Sequence, residues 1–449
     1  MEHSTIIAKI TSFLEEHLFE SIPMLIEGLA QGGLFAFEEK LTLVFGDLYN
    51  LVAEELLVAG AQASQPLLRA EAKKKRLGKL EKRPMQVQVK TGHYVTVMGL
   101  YARKAPPKHE GPRHLLRSHW HLIKGASPAY CSNVGMLCVL CPSFEVAGQV
   151  LEIHNVAYNR ERLRDLTHGL AKHCAGHQPG LSLAPGETLK GKRVVIGVDG
   201  GRCRCREYNG GVNGSGNPTY DTPWKEPKMF VIDILDDEGN IDRARLPLYG
   251  CRFGDDELVD LLASYLEKLE VHKAEQVQIL ADGAPWIWNR LKPMLIRLGV
   301  AEDKIIESVD YYHASQYIHK IIEGLPKKHT AGSTKMLKAF KEWLWQGKIE
   351  NIVEKCEEVF LRPGKEIKRY VGYLQKNEER MQYADYQANK LMCGSGIIES
   401  GIRRIINLRF KNSSAFWKQE NVEQLFFLRG ILLSFRWKTM MNNLVKVPY

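Results

Sequence analysis

Three carboxylates carry most of the chemistry that can be read along this chain. Asp199 closes the apolar run Arg193 to Asp199 (RVVIGVD), and Asp282 closes a second one, Val277 to Asp282. Glu399 follows the flexible turn Cys393-Gly394-Ser395-Gly396, in a helical pattern that also carries Arg403 and Arg404. The separations are 83 and 117 residues. A lone aspartate at a strand end is most often a turn or cap residue. Convergent carboxylates suit another task. Cutting a phosphodiester needs an aligned oxygen nucleophile and neutralised charge on the attacking and leaving oxygens, which two divalent ions about 3.5–4 Å apart provide. Hard Mg2+ prefers carboxylate oxygens and water, so few ligands suffice if the fold brings them together.

The elements that must position them are legible from residue 190 onward. An apolar run ending in a carboxylate reads as a buried central strand. After Asp199 come a Gly/Asn-rich loop (209–217) and strand-like segments at Met229–Leu235 and Arg245–Phe253. Asp255 and Asp256 then cap a helix with the stripe Leu258, Leu261, Leu262, Tyr265, Leu266 and Leu269. Val277–Asp282, a helix from Trp286 and a third buried-type strand at Ile305–Asp310 follow. Three strands, helix, strand, helix, strand, helix is the succession of an RNase H-like fold. The expected class is therefore α/β. Its RNase H-like catalytic core occupies residues 190–324, a charged helical insertion 325–392, and the core's remaining helices 393–449, closing with a helix at about Asn421–Phe435.

Ahead of this core, residues 1–84 read as acidic amphipathic helices followed by a basic stretch, Arg69 to Arg83. Phe37, Leu41, Val44, Leu48, Leu51 and Val52 recur at helical spacing, as in a packing or self-association helix. The region 85–130 alternates as a β-hairpin around Thr91-Gly92 and continues into a Pro-, Lys- and His-rich loop at 104–118. Residues 131–178 read as two short helices, opened by Pro142-Ser143 and by Asn159-Arg160. They are spaced like a helix-turn-helix, whose second helix would present Arg160, Arg162, Arg164 and Thr167 to DNA. A small helical packing module gives the same spacing.

Four blocks then stand in order: Val198-Asp199-Gly200-Gly201; Ala281-Asp282-Gly283-Ala284-Pro285-Trp286-Ile287; Asp310-Tyr311-Tyr312-His313; and Gly394-Ser395-Gly396-Ile397-Ile398-Glu399-Ser400. Together, over about residues 190–435, they resemble the signature blocks of bacterial insertion-sequence transposases of the DDE, RNase H-like type. The resemblance implies DNA transposition with Asp199, Asp282 and Glu399 holding Mg2+, with Mn2+ as an alternative. For Glu399 it is the chief support. It also implies double-stranded DNA as partner, both element ends and target, and a homo-oligomer assembled on that DNA. Asp310 and His313 match an Asp-x-x-His block of related transposases. His313 is then a catalytic candidate that contacts the scissile phosphate, or half of a structural pair with Asp310. Arg403, Arg404, Arg409 and Lys411 are candidate DNA contacts, although Arg403 also stands one turn from Glu399, where an ion pair would form.

Charge agrees with a polyanionic partner. Of the formal +10, residues 1–60 contribute −8, with Lys9 and Lys40 against ten acidic residues, leaving 60 basic against 42 acidic, or +18, in the remainder. No apolar run approaches the roughly 20 residues needed to cross a bilayer, and the N-terminus has no leader pattern. The expectation is a cytoplasmic, nucleoid-associated bacterial protein with no membrane partner. Nine scattered cysteines suit reduced thiols. Cys138 and Cys141, near Cys131, His119 and His121, lack the second matching pair of a zinc site. Cys203 and Cys205 have the wrong spacing for a redox pair and read as strand residues, and the glycine loop after them lacks the Lys-Ser/Thr of a phosphate-binding loop. Two other readings fit the same core: a structure-selective nuclease without strand joining, and a non-catalytic DNA-binding repressor descended from a transposase.

Overall fold

The computed structural model describes residues 3–105, 113–411 and 416–446. The chain forms two compact units, Met1–Gly176 with Met441–Tyr449, and His177–Met440. Among the described residues no helix is long and apolar enough to cross a membrane.

The first unit opens with helices at His3–His17, Ile22–Ala30, Leu34–Ala63 and Gln65–Lys74. An antiparallel hairpin follows, Gly78–Gln88 against Tyr94–Lys104, with Val87 opposite Val95. Met85, Val87, Val95 and Val97 are buried beneath it, as period-two alternation requires. The strand begins at Gly78, ahead of the expected residue 85. Its first half was masked by charge: Arg83 and Arg103 both pair with Glu81, and the Arg83 guanidinium lies 4.1 Å from the Tyr101 ring centroid. The basic stretch is thus split between a helix end (Lys73, Lys74) and a strand (Lys79, Lys82, Arg83). Of the loop expected over 104–118, residues 106–112 lie outside the described residues, while Leu115–His119 is helical.

Three helices complete this unit, Pro128–Leu140, Phe144–Ile153 and Arg160–Ala175. Each has a polar N-cap whose side-chain oxygen accepts an otherwise orphaned N–H: Ser127 from Tyr130, Ser143 from Val146 at 3.0 Å, and Asn159 from Arg162 at 3.1 Å.

The second unit is built on a five-stranded mixed sheet: β1 (Arg193–Gly200), β2 (Lys228–Leu235), β3 (Leu248–Arg252), β4 (Gln276–Ala281) and β5 (Ile305–Val309). The spatial order is β5-β4-β1-β2-β3. β4 runs parallel to both β1 and β5, whereas β2 is antiparallel to β1 and to β3. β1 and β4 are apolar along nearly their whole length because both faces are covered. Helix Asp255–Lys268 packs Leu258, Leu262, Tyr265 and Leu266 into the core. Its N-cap is Gly254 rather than either aspartate. Asp255 and Asp256 instead pair with Lys228 and Arg290. The loop expected at 209–217 is the tip of a hairpin, Glu207–Val212 with Pro218–Asp221. Helix Gln419–Leu433 is not the last, since Trp437–Leu444 follows it.

Residues 333–376 form helices Ser333–Trp345, Ile349–Val359 and Lys365–Lys376, whose Phe340, Leu344, Ile352 and Leu374 join the sheet's own hydrophobic cluster. The chain returns from them through one side chain. Gln278, fully buried on β4, donates from Nε2 to Met392 O (2.7 Å) and Ser308 Oγ (2.8 Å), and accepts from Met392 N at 3.0 Å. Gln278→Leu would leave both backbone groups of Met392 without those partners. The expected loss is about 2–4 kcal/mol of stability by chemical denaturation, given the cost of orphaned buried polar groups. A change under about 1 kcal/mol would show that Met392 finds other partners.

Candidate active site

Register builds the site. On the three parallel strands Val198 pairs with Ala281, and Ala281 with Val309. The next residue on each is an aspartate: Asp199, Asp282 and Asp310. Adjacent strands lie about 4.8 Å apart, and in-register neighbours share a face, so the three aspartates stand in a row across the C-terminal ends of these strands.

Asp310 is the hub of this row and is wholly buried. Its Oδ1 accepts the Tyr312 N–H at 3.0 Å, and its Oδ2 accepts the Ser395 hydroxyl at 2.6 Å and pairs with His313 Nδ1 at 3.1 Å. Burial favours its neutral form, but the hydrogen bonds from His313, Ser395 and Tyr312 outweigh that and hold its pKa below the usual value. The His313 pKa is raised in turn, first by its hydrogen bond to Asp310 and then by the charges of Asp310, Asp282 and Asp199.

Glu399 reaches the row on helix Gly396–Ile402. That helix crosses β1 closely enough that a Cβ on Gly197 would lie 3.1 Å from Ile398 Cβ and 2.9 Å from Val231 Cγ1, so only glycine fits there. Ser395 connects the two carboxylates, because its Oγ lies 3.3 Å from Glu399 Oε1 while donating to Asp310. Asp199 and Asp282 each use Oδ1 on a backbone N–H, from Gly200 at 2.6 Å and from Ala284 at 3.0 Å. Burial pushes the Asp199 pKa up to about 6, and the negative charges of Asp282 and Glu399 add to the rise.

One group of ligand atoms among the described residues is tight enough to hold a metal ion. It comprises Asp310, His313 and Glu399, within 4.8 Å of one another. Asp199 and Asp282 are linked to it electrostatically through His313. Cys138 and Cys141 belong to no such group among the described residues. Cys203 and Cys205 are buried with their sulfurs 3.8 Å apart.

Sequence reasoning missed Tyr373. Its hydroxyl donates to Asp282 O at 2.7 Å, and its ring stacks on Tyr317 at 3.9 Å. The helical insertion therefore braces the loop that carries Asp282. Gly283, at φ +92, lets the loop pass beneath that tyrosine. No local pattern marks Tyr373, which sits on an ordinary amphipathic helix.

The basic candidates divide by direction. Arg160 and Arg164 are exposed, with Glu145 and Asp165 at 3.6 and 3.7 Å. Arg162 turns inward, donating from Nε to Gln88 Oε1 (3.0 Å) and from Nη2 to Lys124 O (2.9 Å). Thr167 is buried, its hydroxyl on Leu163 O. Arg403 and Lys411 are exposed. Arg404 donates to Leu433 O at 3.0 Å, and Arg409 is buried with its guanidinium 4.8 Å from the Trp417 ring centroid. Arg403 opens a π-helical stretch, Arg403–Asn407, and among the described residues no ion pair joins it to Glu399.

No family model matches the chain. Two UPF0236 proteins of Caldanaerobacter subterraneus subsp. tengcongensis are each 23% identical to it over 178 residues, 37% of this chain. The chain spans about a third of the length of these curated relatives, 33% and 32%. Among solved structures, the Drosophila P element transposase strand transfer complex aligns over 72% of this chain and 82% of its own, at 12% identity and a TM-score of 0.26.

Proposed function

We propose that the chain is a DDE-type transposase, which cuts DNA at the ends of an insertion sequence and joins the freed ends to target DNA. The observation that carries this reading is the in-register row Asp199, Asp282 and Asp310, with Glu399 tied to it through Ser395. The sheet order, with β2 alone running against the other four strands, supports an RNase H-like core.

A hard divalent cation, Mg2+ or Mn2+, fits this donor set. Carboxylate oxygens predominate, and burial together with the charges of Asp282 and Glu399 raises the Asp199 pKa, a cost to its charged form that a cation would relieve. Glu399 belongs to the tight group with Asp310 and His313, but both oxygens of Asp310 are engaged by Tyr312, Ser395 and His313, whereas Asp199 and Asp282 are engaged through Oδ1. The metal is therefore assigned to Glu399 with Asp199 and Asp282 rather than to the tight group. When bound, the metal supplies neutralisation of charge on the phosphodiester oxygens.

The protein's own groups do the rest. Asp310 holds the His313 ring by Nδ1 and shifts its pKa upward, which favours the form that donates to a phosphate oxygen. Tyr373 fixes the Asp282 backbone. In the first unit, exposed Arg160 and Arg164 are assigned to DNA contact, and Arg162 to holding its helix in place.

The test is incubation of the full chain with Mg2+ and DNA carrying the element ends. Nicks and joined products are expected, absent with EDTA and absent from Glu399→Gln. Cleavage that persists unchanged in that variant would sink the assignment.

A further inference from the structure

The hairpin Glu207–Val212 with Pro218–Asp221 has no core to serve. Every residue of its two strands is exposed or half-exposed, yet Tyr208 and Tyr220 face each other across it, 61% and 42% exposed, with ring centroids 6.0 Å apart. Trp224, just beyond, is 48% exposed. On a two-stranded ribbon without a core, such rings gain only a small cross-strand pairing energy and leave most of their apolar surface in water. Two of the three are accompanied by a guanidinium: Arg206 lies 5.8 Å from the Tyr220 centroid, and Arg204 5.0 Å from that of Trp224. The nearby acids are engaged, Glu207 with Lys225 and Asp221 with the Asn209 amide.

The base of the hairpin is fixed between the chain that leaves Asp199 and the chain that leaves Glu399. The hairpin starts at Glu207, eight residues beyond Asp199, and Arg206 N donates to Trp417 O at 2.7 Å while Trp417 N donates to Arg204 O at 3.2 Å. Trp417 belongs to the segment that follows the Glu399 helix. The hairpin thus rises where the chain leaving Asp199 meets the chain leaving Glu399. Aromatic faces interleaved with arginines are the makeup of a base-stacking platform, since every base has a π-face and each phosphate needs a cation.

We propose that this hairpin is an arm that takes unpaired bases of the DNA flanking the cut phosphodiester. Tyr208 and Tyr220 stack the bases, and Arg204 and Arg206 hold the phosphates. This rests on the transposase reading above and adds to it the single-stranded character of the flanking DNA.

The test is fluorescence anisotropy of the full chain in EDTA. One probe is a blunt duplex, and the other is the same duplex with a single-stranded oligothymidine tail. The wild type should prefer the tailed probe. Tyr208→Ala and Tyr220→Ala should each weaken tailed binding about tenfold, the scale of one lost base–aromatic stack. Both should leave blunt binding unchanged, and Tyr208→Phe and Tyr220→Phe should keep the preference. Equal binding of the two probes, or a preference that survives both alanine changes, overturns the arm, as would a hairpin that docks protein instead. Metal-dependent cutting by a wild type without tail preference overturns the arm alone. A tyrosine-dependent tail preference without any cutting overturns the catalytic reading instead.

Discussion

Asp282→Asn is expected to abolish metal-dependent strand cleavage and joining while leaving fold and DNA binding intact. The asparagine amide keeps an oxygen that can still accept the Ala284 N–H, and the Tyr373 hydroxyl bonds the residue's backbone rather than its side chain. The loop therefore retains its geometry. What is lost is one negative charge in the row formed with Asp199 and Asp310. Removing a single preorganised electrostatic partner from an active site commonly costs 10²–10³ in rate, and a metal-holding carboxylate should reach at least about 10³. The measurement is nicking of end-bearing DNA with Mg2+, beside an anisotropy titration and a thermal melt. Cleavage within about tenfold of wild type, with binding unchanged, would remove Asp282 from the chemistry.

Arg436→Met is expected to give the largest stability loss. Arg436 is only 4% exposed and forms a fork on Glu187, Nη2 to Oε1 at 2.7 Å and Nη1 to Oε2 at 2.8 Å. It also donates to the backbone oxygens of Ser182, Pro247 and Leu246, joining the approach to β1, the approach to β3 and the C-terminal helices. Methionine fills much of the volume but leaves Glu187 and three carbonyls without their donor. Breaking one side of a buried pair costs about 3–5 kcal/mol. Burial alone would raise the Glu187 pKa, but the hydrogen bonds and charge of Arg436 hold it below the usual value. A depressed folded pKa means that this stabilisation is complete above the unfolded pKa and is lost as pH falls through the folded one. The variant should therefore be weaker at neutral pH and show a flatter acid limb in its stability profile. A loss under about 1 kcal/mol in denaturant melts at neutral pH, or an unchanged acid limb, would contradict this account.

Much of the second unit was legible because local rules govern it. Apolar runs ending in Asp199 and Asp282 became β1 and β4 and the turns after them, since a strand covered on both faces has to be apolar throughout. Ser143 and Asn159 cap the helices expected after them, because capping is settled within three residues. Errors arose where charge hid a pattern. The strand from Gly78 carries exposed Lys79, Lys82 and Arg83 on both faces, and Asp255 and Asp256, which resemble caps, are drawn to Lys228 and Arg290. The Gly/Asn-rich stretch read as a loop because a ribbon without a buried face has no apolar alternation to show.

Sequence by itself determined which residues end strands, where helices begin, and which carboxylates belong to the resembling blocks. Only tertiary structure decided who meets whom. Parallel register, a relation between segments more than eighty residues apart in the case of Asp199 and Asp282, adds Asp310 to their row. The buried Gln278 amide and the Ser395 hydroxyl return the chain across the helical insertion, so that Glu399 arrives beside Asp310. Packing also chose directions that no spacing encodes, turning Arg162 and Arg409 inward and aiming Tyr373 at the Asp282 backbone. The physical reason is the same in each case. Strand ends and caps are fixed by backbone groups a few residues away, whereas a side chain's partner is set by which distant surface is buried against it.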